Sequence, residues 1–128
     1  MSDVVNPAAT RVFGIVGHPV DHSLSPSIHN PLFAELGLDA VYIAIPVEPM
    51  HANRIAELIR DKNLAGVNLT VPFKERVLPL LDEVSSAARR AGAVNVVVNT
   101  NGRLAGHNTD GEGFMRALLA EGGPAPTG

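Results

Sequence analysis

The sequence predicts an α/β fold: a mainly parallel sheet with helices on both faces and a late antiparallel hairpin. Short apolar runs at residues 12–16, 41–45 (VYIAI) and 66–71 (GVNLTV) are separated by two segments with helical spacing. Strand, helix, strand, helix, strand implies right-handed crossovers into a parallel sheet. Asn101-Gly102 then falls between VNVVVNT and RLAG, the two-residue spacing and residue pair of a type I′ hairpin.

Each element has its own signal. The first strand stops at Gly17-His18-Pro19, a loop sequence. Ser25-Pro26 marks a helix start, with serine available as N-cap and proline at the first helical position, and Gly37 is the matching stop. Pro31 sits inside this helix, removes a bond to the Ser27 carbonyl and predicts a kink or a frayed first turn. A second helix is expected over residues 49–60, with Ala52, Ile55, Leu58 and Ile59 as its apolar stripe. A third is expected over 82–90, a fourth strand over 93–98 (AVNVVV) and a last helix over 110–120. Gly, Pro, Thr and Ala without apolar periodicity make 121–128 a flexible tail or linker.

At 128 residues the chain is slightly under the roughly 150 residues of one domain, so 1–120 is read as one domain. Apolar residues are 45% and charged residues 18% of the chain, a globular composition that excludes disorder as the main state. No apolar run approaches the ~18 residues of a membrane span, and the amino terminus lacks a secretory pattern; the expected location is cytoplasmic, with no membrane partner. The formal charge of -3 and the absence of a basic cluster remove the footprint of a nucleic-acid binder. Without cysteine there is no disulfide framework, thiolate metal site or thiol nucleophile. Of the histidines, only His18 and His22 have zinc-helix spacing, and Pro19 keeps them out of a helix; no metal is expected.

Small polar residues cluster where strands end, which is where ligands of open α/β sheets bind. Ser23 and Ser25 precede a helix start whose N–H groups favour an anion such as a carboxylate; the competing reading is a simple cap with an exposed loop. Asn68 and Thr70 alternate with Val67, Leu69 and Val71 and share one strand face, and polar side chains on a buried strand need partners. Lys74 follows Pro72-Phe73 at the strand exit, where it is either a cleft ammonium or a solvated surface charge. Asn95, Asn108, Thr109 and Asp110 come from GAVN and GHNTDGEG. Asp110 is either a helix cap or, beside Lys74, one half of a coupled pair able to relay a proton. Gly111-Glu112-Gly113 begins like a dinucleotide fingerprint, but Arg116 stands where the third glycine belongs.

Taken in order, GHPVDHSLSPSIHN at 17–30, GVNLTVPFKE at 66–75, AGAVN at 91–95 and GHNTDGEGF at 106–114 resemble the amino-terminal substrate-binding domain of shikimate dehydrogenases, over residues 12–119. The resemblance implies NADP-dependent interconversion of 3-dehydroshikimate and shikimate in aromatic amino-acid biosynthesis. It implies that Ser23 and Ser25 bind the substrate carboxylate and that Thr70 lines the same pocket. Asn68, Lys74, Asn95 and Asp110 then hydrogen-bond ring hydroxyls. Lys74 and Asp110 are the implied catalytic pair, Lys74 exchanging the proton and Asp110 holding it in place.

Two departures qualify the resemblance. Val96 stands where the family usually has threonine. The family's nucleotide-binding domain, which follows this region, has no counterpart before Gly128, so NADP is not expected to bind this chain alone and no residue is assigned to it. The expectation is a substrate domain inactive alone. A stand-alone shikimate-binding, quinate-binding or protein-interaction module, or one half of a split enzyme, are the competing readings. An uncovered cleft face also predicts self-association as a homo-oligomer.

Overall fold

The computed structural model of the chain describes residues 10–20 and 22–109. The expected helix over 110–120, the tail over 121–128 and Asp110 itself lie outside the described residues.

Six strands form one sheet in the order β2-β1-β3-β5-β6-β4. They are β1 (Arg11–Gly17), β2 (Ala40–Pro46), β3 (Gly66–Leu69), β4 (Glu83–Val84), β5 (Val96–Thr100) and β6 (Arg103–His107). β1 pairs in parallel with both β2 and β3, as the strand and helix alternation requires. β5 runs antiparallel to β3 and to β6, while β4 lies parallel to β6. The sheet is therefore mixed: its antiparallel part includes the β3–β5 pairing as well as the hairpin.

Side-chain alternation sorts the sheet into two cores. On one face Val16, Val67, Leu69, Val97 and Leu104 pack with Ile55, Ala56 and Ile59 of α2 (Ile55–Asp61) and with Ala88 of α3 (Ser86–Ala91). On the other, Phe13, Tyr42, Val96 and Val98 pack with Phe33 of α1 (Ser25–Glu35). Phe33 is 1% exposed, and its ring centroid lies 5.4 Å from that of Phe13. Burying such a side chain stabilises the fold by about 1.5–3 kcal/mol.

Helix ends follow local chemistry, with several corrections. Gly37 adopts φ +72°, and the N–H groups of Gly37 and Leu38 donate to the carbonyls of Ala34 and Phe33, a Schellman closure. Ser25 is not the cap of α1. Leu24 holds that position without a side-chain cap, and the Ser23 hydroxyl accepts the Ser25 N–H at 3.1 Å. Helix assignment continues unbroken through Pro31. The second helical segment begins as a 3-10 stretch, Pro49–Arg54, with His51 outside helical geometry, before α2. The third begins at Ser86 because Ser85 caps it, accepting the Ala88 N–H at 3.1 Å. Asp82, expected to open that helix, instead accepts the Leu104 N–H and an Arg60 N–H, each at 2.8 Å. The Leu104 bond, then Arg60, holds its carboxyl below the usual range.

The hairpin has the predicted chemistry: Asn101 and Gly102 both have positive φ, 55° and 92°. Asn99 accepts the Gly102 N–H at 2.7 Å and donates to the Leu64 carbonyl, so the turn is tied to the residues that lead into β3. No neighbour lies within 4 Å of a side chain built on Gly102. The cost of Gly102→Ala is therefore that of left-handed backbone alone, about 1 kcal/mol. Denaturant melts should show this loss with an unchanged slope; equal midpoints would contradict the turn geometry.

Candidate active site at the carboxyl edge of the sheet

The strand order places a topological switch between β1 and β3. The chain moves from β1 to β2 on one side and then returns to β3 on the other. In open α/β sheets the crevice at such a point, outside the carboxyl ends of the strands, is where ligands bind. Antiparallel β5 begins at this same edge, and β6 ends there, since Val96 pairs with Asn68 and with His107. Each segment singled out in the sequence is thereby delivered to one place, as far as Thr109, where the described residues end.

Close backbone approach shapes the crevice. The Thr70 N–H donates to Val16 at 3.0 Å and the His18 N–H to Val71 at 3.2 Å. A side chain on Gly17 would meet the Thr70 methyl at 2.2 Å and Val20 at 2.6 Å, so the absence of a Cβ at Gly17 leaves Thr70 its position. β3 stops at Leu69 rather than Val71, and Thr70 starts the turn by accepting the Phe73 N–H. Phe73 is fully buried and Val71 68% exposed, which carries the chain around to Lys74.

Asn68 lies on the α1 face of β3, opposite Val67 and Leu69. The Tyr42 hydroxyl donates to Asn68 Oδ1 at 2.6 Å, and Asn68 Nδ2 faces the Asn95 carbonyl at 3.5 Å. Asn95 precedes β5, and its amide clasps the backbone of Thr109: Nδ2 donates to the Thr109 carbonyl at 2.5 Å and Oδ1 accepts its N–H at 2.9 Å. Asn108 adds a bond to the Ala93 carbonyl. These bonds hold the chain where it leads into position 110. Lys74 is exposed, and its carbonyl accepts the Val94 N–H at 2.8 Å, tying the lysine turn to the GAVN segment.

Ser23, Ser25, Asn68, Thr70 and Asn95 are all partly buried, as befits the wall of a crevice. Tyr42 is linked to Asn68, and Asn68 to Asn95; Thr70 is beside Gly17. Among the described residues no hydrogen bond joins the side chains of Ser23, Ser25, Thr70 or Lys74 to those of Asn68 or Asn95; the Ser23 hydroxyl accepts the Ser25 N–H.

Tyr42, His29 and Asn30 escape the sequence reading. Tyr42 is the one tyrosine of the chain and is 1% exposed. His29 stacks on its ring at 4.4 Å and 10°. Asn30 donates to the Tyr42 carbonyl at 3.0 Å and accepts its N–H at 2.8 Å, supplying the main-chain partner that edge strand β2 lacks there. The signal available was an aromatic residue with a polar tip inside the apolar run VYIAI. Burial pushes the Tyr42 hydroxyl well above the ordinary tyrosine range, partly offset by its hydrogen bond with the Ser25 side chain.

A second concavity, about 550 Å³, lies between the end of β2 and α2, lined by Val47, His51, Arg54, Leu58 and Asp61 among others. It contains none of the sequence-predicted site residues. Among the described residues no three His, Asp or Glu side chains gather as metal ligands, and no helix is long and apolar enough to cross a membrane.

The fold and the crevice together define a substrate-binding domain of the open α/β type. The family profile described as the shikimate dehydrogenase substrate binding domain matches residues 15–97, and the chain belongs to that family. The NADP(+) shikimate dehydrogenase of Desulforamulus reducens is 50% identical over 119 residues, covering 93% of this chain and 41% of the relative. The crystal structure of shikimate 5-dehydrogenase from Thermus thermophilus in complex with shikimate is similar with a TM-score of 0.76 and 44% identity, over 87% of this chain and 42% of that one. The ligand-free 5-ketofructose reductase of a Gluconobacter strain has a TM-score of 0.77 and 32% identity, over 91% and 42%. The chain thus spans about two fifths of the length of these relatives.

The single tyrosine makes its environment directly measurable. An unfolded tyrosine ionises near pH ~10. A folded-state value raised above this means that stability is intact below pH ~10 and is lost as pH rises beyond it. Tyrosinate absorbance should therefore appear only together with loss of the circular-dichroism signal. Ordinary titration near pH ~10 in a folded chain would contradict the burial.

Proposed function

We propose that this chain forms the substrate-binding and proton-transfer part of an NADP-dependent shikimate dehydrogenase, acting on 3-dehydroshikimate and shikimate in the cytoplasm. The observation that supports it most is the convergence of Asn68, Thr70, Asn95 and the β1 exit loop bearing Ser23 on the β1–β3 switch point. In this reading Ser23 and Ser25 receive the substrate carboxylate, and Thr70 lines the same wall. Asn68 and Asn95 meet ring hydroxyls.

Lys74 and Asp110 are the proposed catalytic pair. Reduction adds a hydride to the ketone carbon of 3-dehydroshikimate and a proton, from the Lys74 ammonium, to its oxygen; Asp110 holds the lysine in place and the amine regains a proton from solvent. A positioned proton donor of this kind contributes about 10²–10⁴-fold. NADP(H), named for the relatives, supplies the hydride when bound. The described strand exits do not fit a dinucleotide: each parallel strand of the β1–β3 unit runs into a proline-containing turn (His18-Pro19, Pro46 to Pro49, Val71-Pro72) rather than a glycine-rich one. No residue here is assigned to it.

A second substrate class is kept open by one observation, the similarity to 5-ketofructose reductase. Both substrates are polyhydroxylated ketones, but only 3-dehydroshikimate carries the carboxylate that the two serines are proposed to receive. Calorimetric titration with shikimate, and in parallel with 5-ketofructose, separates them. Shikimate should bind, and Ser23→Ala and Lys74→Ala should each weaken it about tenfold, the scale of one lost hydrogen bond to a charged group. Binding of 5-ketofructose alone, or shikimate binding indifferent to both substitutions, would overturn the assignment.

A further inference from the structure

We infer that Tyr42 is a positioning residue that holds the Asn68 amide in the polarity the Asn95 carbonyl selects, so that the site offers a hydrogen-bond donor to the ligand atom that meets Asn68. The hydrogen bond is independent of the functional reading; its consequence for shikimate rests on that reading. An asparagine amide can present either end, and its orientation is set by its neighbours. The Asn95 carbonyl, which can only accept, selects the polarity, and the Tyr42 hydroxyl, able to donate or accept, donates to the oxygen so presented. The Tyr42 hydroxyl is 2.6 Å from Oδ1 and the Asn95 carbonyl is 3.5 Å from Nδ2. Reversing the amide would set two carbonyl-type oxygens against each other at Asn95. With Oδ1 engaged by Tyr42, the remaining hydrogen on Nδ2 is what faces a ligand.

The hydroxyl is well placed to hold this choice. The Tyr42 ring is 1% exposed, stacked on His29 and pinned along its backbone by both ends of the Asn30 amide. His29 is in turn held at 3.0 Å from the Ser25 carbonyl. A phenol held by its ring packing and its backbone acts as a fixed dipole, and preorganised dipoles discriminate between ligand atoms because they need not reorient on binding.

Tyr42→Phe removes the hydroxyl and leaves the ring packing. Shikimate affinity of this variant should fall about tenfold, and Asn68→Ala should cost at least as much. The double variant should bind no worse than Asn68→Ala, because Tyr42 acts only through Asn68. Additive losses, or unchanged binding in Tyr42→Phe, would overturn the inference. The nitrogen-15 spectrum gives a readout that does not need the ligand: the two side-chain amide protons of Asn68 should shift in Tyr42→Phe, while those of Asn99 stay in place. If the unsubstituted chain binds no shikimate, the functional reading fails and the Asn68 resonances still decide the positioning role. If Tyr42→Phe does not fold, the unsubstituted chain decides it: a slowly exchanging Tyr42 hydroxyl proton with a nuclear Overhauser contact to Asn68 supports the bond, and a rapidly exchanging one refutes it.

Discussion

The pairing of β1 with two parallel neighbours, β2 on one side and β3 on the other, is the constraint on which the rest of the structure depends. It requires one crossover from β1 out to β2 and a second from β2 back past β1 to β3, and the crevice between β1 and β3 follows from that geometry. The crossover chain also covers the sheet, with α1 lying over one face and α2 over the other. Gly17 and Thr70 then meet at the crevice floor, at a distance that no side chain on Gly17 would permit. The antiparallel return of β5 brings Asn95 to the same edge, and β6 brings Thr109. Polar residues from distant parts of the chain thus share one edge because strand direction, rather than any local motif, gathers them.

Backbone capture by asparagine is the recurrent device. Asn30 holds Tyr42, Asn95 holds Thr109 and Asn99 ties the hairpin turn to the entry of β3. An amide side chain carries a donor and an acceptor in the spacing of a peptide group, so it can stand in for a missing strand at a sheet edge or a turn. At Asn95 the residue that precedes β5 holds both backbone groups of Thr109, the last described residue. Asn68 differs, because its partners are a phenol and a distant carbonyl rather than both groups of one peptide.

Much of this was legible in the sequence. Apolar runs bounded by Gly and Pro placed β1, β2, β3 and β5 to within a few residues, Gly37 marked the end of α1, and Asn101-Gly102 specified its turn. The misses have physical causes. Ser25 lost the capping position because Ser23, two residues earlier, already accepts its N–H. The third helix starts late because Asp82 is engaged by Leu104 and Arg60, contacts that exist only once the hairpin has formed, and β4 is too short to leave a periodic signal. Of the site, the residues at strand exits could be chosen from spacing and family resemblance. Tyr42 could not, since the strand pattern that marks it as core says nothing of the asparagine that its hydroxyl will reach from a different strand.

The most direct test of the central claim, that the β1–β3 crevice is the ligand site, is to map amide chemical-shift changes on a nitrogen-15 spectrum as shikimate is added. Changes confined to the segments around Gly17 to Ser25, Asn68 to Lys74, Asn95 and Thr109 are expected. Changes centred instead on the concavity lined by Val47, His51, Arg54 and Asp61 would contradict it.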